Sequence, residues 1–124
     1  MARLMHVTPI WKATLEVGET ANVQRSLEAV GRGHTQFLAP SGLDASFYRD
    51  TFPSVPIRMI EAQHLRSVSD YNALMLSSEF YKDYQDHEFL VIVQTDAILF
   101  RELHDLDLTE LDFLGAPWKV GFKY

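Results

Sequence analysis

The chain has 124 residues, with 17 acidic against 11 basic side chains and a net charge of −6 when histidine is neutral. That balance argues against a partner gripped through nucleic-acid phosphates, which calls for a basic surface that displaces counterions. An apolar content of 47% is ordinary for one folded domain, here taken as residues 1–124, and the absence of cysteine removes disulfide frameworks, thiol catalysis and cysteine-ligated zinc.

In chain order, strand-like and helix-like patterns alternate. Met1 to His6 carries one charge and no long hydrophobic region, so no secretory signal is read and a cytoplasmic location is expected. His6–Trp11 predicts a first strand. From about Glu16 to Val30, the residues Val23, Leu27 and Val30 recur at helical spacing, and Gly31 and Gly33 supply a stop. Thr35–Ala39 predicts a second strand closed by Pro40-Ser41-Gly42, Leu43–Asp50 a short helix, and Pro56–Ile60 a third strand. Ser67 with Asp70 resembles a capping box. It opens a helix on which Tyr71, Leu74, Met75, Ser78 and Tyr81 or Lys82 map one continuous face.

Phe89–Val93 is an unbroken apolar run, too short for a bilayer and suited to a strand covered on both faces. Val91 and Ile92 are accordingly expected among the most buried residues. Leu111–Gly115 predicts a last strand. This alternation implies right-handed crossovers and a three-layer α/β/α fold with a mostly parallel sheet. Ligands of such sheets sit beyond the carboxyl ends of the strands, where strand order reverses. If the first strand is central and the Phe89–Val93 strand lies beside it, Thr8–Lys12 and Gln94–Asp96 share one crevice.

Asp96 therefore stands out. A carboxylate at the mouth of a parallel strand can hold a divalent cation or a ribose hydroxyl. Equally, Thr95 or Asp96 can cap a helix running from Ala97 to His104, and the spacing leaves both readings open. Asn72 falls in the first turn of the Ser67 helix, where free N–H groups suit a phosphate; the spacing favours the plainer reading, in which Asp70 completes the cap and Asn72 is solvated. The acidic set Glu102, Asp105, Asp107, Glu110 and Asp112 reads as a solvated face. The histidines show no ligand spacing, and no P-loop, Gly-x-Gly-x-x-Gly turn or Gly-x-Ser-x-Gly elbow occurs.

Tyr71-Asn72-Ala73-Leu74-Met75-Leu76-Ser77, then Phe80-Tyr81, then Val93-Gln94-Thr95-Asp96-Ala97, then Gly115-Ala116-Pro117-Trp118 occur in this order. Together they resemble a bacterial domain family of unknown function that is regarded as glycosyltransferase-like and associated with surface-polysaccharide genes. Glu19, Leu27, Pro40, Leu43 and Asp44 also look similar to its N-terminal pattern. The resemblance implies a GT-A, Rossmann-like nucleotide-sugar-binding half. In such enzymes an Asp-x-Asp motif closes the strand before the sugar site and holds a divalent metal, manganese or magnesium, against the diphosphate. Gln94-Thr95-Asp96 occupies that place, with Asp96 matching the second acid and the neutral Gln94 replacing the first.

Asn72 resembles an asparagine near the donor, and Thr8, Pro9 and Ile10 match the strand mouth that cradles the nucleotide. Members of the family run on beyond Gly-Ala-Pro-Trp through a Gly-Asn-Gly-Gly stretch, so the chain is expected to be a donor-binding part without the acceptor side. The catalytic base is unassigned, with Glu110 and Asp112 named only by default. The function implied is sugar transfer from a nucleotide donor to a saccharide or lipid-linked acceptor. The alternatives are a non-catalytic nucleotide-sugar-binding module and an interaction domain. Trp118, Phe122 and Tyr124, at a terminus with nothing evident to pack on, add an expectation of self-association through the C-terminal end.

Overall fold

The computed structural model describes residues 4–30 and 34–97. Proline, which cannot donate to a ladder, stands at the end of each of the first two strands, β1 (Leu4–Pro9) and β2 (His34–Pro40). Between them runs α1 (Val17–Ala29), whose capping box joins Glu16 to Glu19. There follow α2 (Ser46–Thr51), β3 (Ile57–Ile60), a 3-10 turn at Ala62–Leu65, α3 (Val68–Met75), α4 (Ser78–Lys82) and β4 (Phe89–Ile92). Leaving β2, Leu43 N–H closes a turn on Pro40 O at 3.1 Å, with Gly42 at φ +94, a value that L side chains resist.

The four described strands are all parallel, in the order β3-β2-β1-β4. The chain winds outward from β1 to β3 and then returns past β1 to its free side. Strand order thus reverses between β1 and β4, as the sequence predicts. The sheet is covered on both faces. Ile10, Leu15, Val23, Phe37, Ala39, Tyr48 and Phe52 pack beneath α1 and α2. On the other face Val7 and Leu38 meet Leu74, Phe80 and Tyr84 from α3, α4 and the turn after it. The alternation Phe37, Leu38, Ala39 sends successive side chains of β2 to opposite layers. The result is the expected α/β/α sandwich.

Two expectations are corrected. The helix from Ser67 is not continuous to Lys82: it closes at Leu76, and an extended Ser77 (φ −87, ψ 126) opens α4. The aromatic cluster Phe80–Tyr84 reads from the sequence as core at a helix end; Phe80 at 3% and Tyr84 at 6% exposure are core, whereas the break leaves Tyr81 outside with its hydroxyl on Met75 O. Val91 and Ile92 are half-buried rather than among the most buried residues. Among the described strands β4 has a neighbour on one side only, β1, so an unbroken apolar run here builds an edge. Full burial falls instead to Leu4, Val7, Leu38 and Ala39, each at 0% exposure, in the two central strands. The Ala97–His104 helix, the Leu111–Gly115 strand, the acidic set from Glu102 to Asp112 and the aromatic terminus lie outside the described residues.

Candidate ligand site at the mouth of strands β1 and β4

Parallel pairing carries β1 and its neighbours to a common upper edge. Ile10 N–H donates to Leu38 O at 2.9 Å, and Val93 N–H donates to Val7 O at 2.9 Å, one residue past β4. Beyond these bonds the chain leaves the sheet on both sides of the switch point: Trp11 and Lys12 from β1, and the turn Gln94–Ala97 from β4, closed by Ala97 N–H on Gln94 O at 3.0 Å.

Glu19, in the first turn of α1, joins the two exits. Its carboxylate pairs with the Lys12 ammonium, accepts the Thr95 hydroxyl at 2.9 Å and accepts the Glu16 N–H at 3.3 Å. Asn22, one turn on, donates its amide to Thr95 O at 3.2 Å. Thr95 is therefore buried, at 2% exposure, and tied to α1 through both hydroxyl and carbonyl. The Lys12 hydrogen bond is the chief reason the Glu19 carboxyl lies below the usual carboxylate range, with burial opposing and Thr95 assisting. Beneath them Tyr48, at 0% exposure, donates its hydroxyl to Lys12 O at 2.6 Å. Burial, helped by the Glu19 charge, pushes the Tyr48 phenol up to about 12, so it stays a donor at neutral pH.

This framework leaves Asp96 exposed beside an exposed Gln94, on a turn whose neighbour Thr95 is anchored. Gln94 donates its amide to the Tyr71 hydroxyl at 3.4 Å, which brings the start of α3 to the same edge. Asn72, the next residue, is exposed; counted from the Ser67 cap it lies just past the first turn, whose cap bond runs from Asp70 N–H to the Ser67 hydroxyl at 3.1 Å. Asn72 thus has no free helix-terminal N–H to add. Thr8, Pro9 and Ile10 reach the mouth but are buried, Thr8 at 8% and Ile10 at 1%, with the Ile10 side chain in the core under α2. They form the floor of the site and offer little side-chain surface to a ligand.

The turn from β1 to α1 is no phosphate cradle of the glycine-rich kind. The Glu16–Glu19 box occupies N–H groups at the helix start and places two carboxylates there. Asp44, at the exit of β2, is also committed, accepting the Ser46 hydroxyl at 2.6 Å and the Ser46 N–H at 3.1 Å. Among the described residues no group of three or more histidine, aspartate or glutamate side chains is placed to hold a metal. The linked set Lys12, Glu19 and Thr95 is the part that sequence reasoning did not assemble. Its signals were the capping-box spacing of Glu16 and Glu19 and the crevice segment ending at Lys12; for Tyr48 there was none.

A cleft of about 310 Å³ lies at the opposite end, near the amino ends of the strands, lined by Met5, Gln36, Arg58, Asp83, Tyr84, Asp86 and His87. Several of its polar groups are spent on one another. Arg58 pairs with Asp83 and lies 5.3 Å from the Tyr84 ring centroid, Tyr84 donates to Gln36, and a His87 ring nitrogen meets His34 at 2.9 Å. His87 Nδ1 is buried there without a hydrogen-bond partner, so the cleft keeps one unspent nitrogen, while the mouth keeps the exposed Asp96 carboxylate.

Comparison with known families finds a match over residues 54–123 to DUF5672, described as a protein of unknown function. The chain belongs to this family. The matched span runs from just before β3 through Asn72, Gln94 and Asp96, and leaves out β1 and α1 with Lys12 and Glu19. The family description names no activity. No curated protein and no solved structure matches the chain. No helix among the described residues is long and apolar enough to cross a membrane.

Proposed function

We propose that this DUF5672 domain binds a nucleotide-sugar donor in the crevice between β1 and β4, as the donor-side part of a cytoplasmic glycosyltransferase acting on a saccharide or lipid-linked acceptor. The observation that carries the reading is the reversal of strand order between β1 and β4, with an exposed carboxylate, Asp96, at that point on an anchored turn. Open parallel sheets bind nucleotides at such places. The half-exposed Trp11 indole offers a flat apolar face for a base, and Gln94 and Asn72 offer neutral amides to hydroxyl groups.

In this reading the chain's own residues bind and orient. Thr95, held by Glu19 and Asn22, fixes the turn that presents Asp96, and Tyr48 fixes the backbone of Lys12. A divalent ion, if bound, would be held by Asp96 and would supply positive charge to the departing diphosphate. The base that deprotonates the acceptor hydroxyl is not among the residues assigned to the site, so the alternative, a nucleotide-sugar-binding module without turnover, shares every feature on the donor side. Self-association through the segment from Gly115 to Tyr124 belongs with the same proposal.

Calorimetry with UDP, GDP and dTDP and their sugars, with and without manganese, tests the reading. Saturable binding of one nucleotide class, weakened in Asp96→Asn, is the expected result. Absence of binding to all of them would overturn it. Release of the nucleoside diphosphate on adding acceptor saccharides then separates transferase from binding module.

A further inference from the structure

The usual devices for a diphosphate are missing or occupied at this mouth: the start of α1 is filled by Glu16 and Glu19, and Gln94 stands as a neutral residue beside Asp96. We infer that Lys12 is the diphosphate-binding cation of the site, held on Glu19 until a ligand takes it. The inference rests on the nucleotide reading above and assigns a residue to it.

Four features of the pair support exchange of partners. Lys12 leaves directly from β1 at the switch point, and its side chain is 40% exposed while that of Glu19 is 17% exposed. Its backbone is pinned, because the buried Tyr48 hydroxyl holds Lys12 O at 2.6 Å, so the flexible four-carbon stem can turn without moving the loop. Glu19 does not depend on Lys12 for its place: the Thr95 hydroxyl and the Glu16 N–H remain on the carboxylate when the ammonium leaves. Finally, a half-exposed ion pair is worth little in water, whereas a diphosphate presents more charge and more acceptor oxygens than one carboxylate. A lysine serving only to brace Glu19 would gain nothing from exposure at the ligand edge. Glu19 then acts as a positioning residue, keeping the ammonium at the mouth and the Thr95 turn in register.

The test uses the 124-residue chain in EDTA, titrated with UDP, GDP and dTDP and with the matching nucleosides. Lys12→Met keeps the stem and removes the charge; Lys12→Arg keeps the charge. The expected result is that Lys12→Met weakens nucleoside diphosphate binding by about tenfold or more, the size of a lost charge-assisted hydrogen bond, and leaves nucleoside binding unchanged. Lys12→Arg should recover most of the loss, and the melting temperatures should stay together. Equal diphosphate affinity in wild type and Lys12→Met overturns this inference and leaves the nucleotide reading standing. Equal loss for diphosphate and nucleoside also overturns it, because Lys12 would then be shaping the loop. A wild type that binds no diphosphate in EDTA overturns this inference, while the nucleotide reading stands or falls with the titrations in manganese.

Discussion

The two ends of the sheet differ in what they present to solvent. At the amino end, most groups of the cleft around Arg58 and Tyr84 answer one another, guanidinium to Asp83, phenol to Gln36 and one His87 nitrogen to His34, with His87 Nδ1 left over. At the carboxyl end the buried Tyr48 and Thr95, with the partly exposed Glu19, form a frame that presents Asp96 and Gln94 outward and holds Lys12 in a partly solvated ion pair. The difference teaches that a concavity is a weak pointer where its polar groups are already satisfied. Topology and the exposed Asp96 carboxylate point elsewhere.

The largest effect should come from the frame itself. Tyr48→Ala removes a fully buried aromatic side chain and should cost about 3–5 kcal/mol of stability in a urea melt. Tyr48→Phe deletes only the bond to Lys12 O and should cost about 1 kcal/mol. A near-neutral Tyr48→Ala would mean that the mouth has no rigid floor.

Next in size is the contrast between the ends. With manganese present, Asp96→Asn should weaken nucleoside diphosphate binding by about tenfold while the fold survives, since Asp96 is exposed. Arg58→Met, at the amino end, should leave that binding unchanged and shift stability by no more than about 1 kcal/mol, since its ion pair is partly solvated. Calorimetry on both variants checks the pair, and a reversed outcome would move the site to the cleft.

The smallest effects are those of pH, and they should separate the ends again. Burial, together with the His34 charge, holds the His87 imidazole below its ordinary value of 6.5, with Asp86 opposing. The unfolded chain then takes up a proton before the folded one does. His87 contributes stability that is present above pH 6.5 and lost as pH falls from there through the folded value. Glu19 is depressed from 4.5, so its contribution is lost only as pH falls below 4.5. On acidification the amino end should weaken first. His87→Gln should flatten the stability profile just below pH 6.5, and Glu19→Gln should flatten it below pH 4.5. Urea melts across the range would refute this if the two variants changed the profile in the same window.

Much of the fold was legible because its signals are local. The Glu16–Val30 spacing, the Ser67 cap and the apolar strand runs each depend on a few neighbouring residues, and the rule that ligands sit where strand order reverses joined Thr8–Lys12 to Gln94–Asp96. Burial along β4 was not legible, because a run such as Phe89–Val93 reads the same whether a strand has one neighbour or two. The break at Leu76–Ser77 was hidden for a related reason: Leu74 and Tyr81 fit one helical face, and only packing decides that Tyr81 turns outward while Phe80 and Tyr84 stay in the core. The site was half legible. Asp96 and Gln94 announce themselves at a strand end, whereas the bond from Glu19 to Thr95 spans 76 residues and leaves no trace in local spacing. Thr8 and Ile10 stand at the end of β1, but their side chains are buried.

Backbone amide spectra of the labelled chain, recorded while UDP, GDP or dTDP is added, test the central claim most directly, since every residue of both ends reports at once. The account predicts that one nucleotide shifts the amides of Trp11, Lys12, Thr95 and Asp96, together with the Trp11 indole, and leaves Gln36, Arg58, Asp83 and His87 in place. Shifts gathered around Arg58 and His87, or none at the mouth with any of the three, would contradict it.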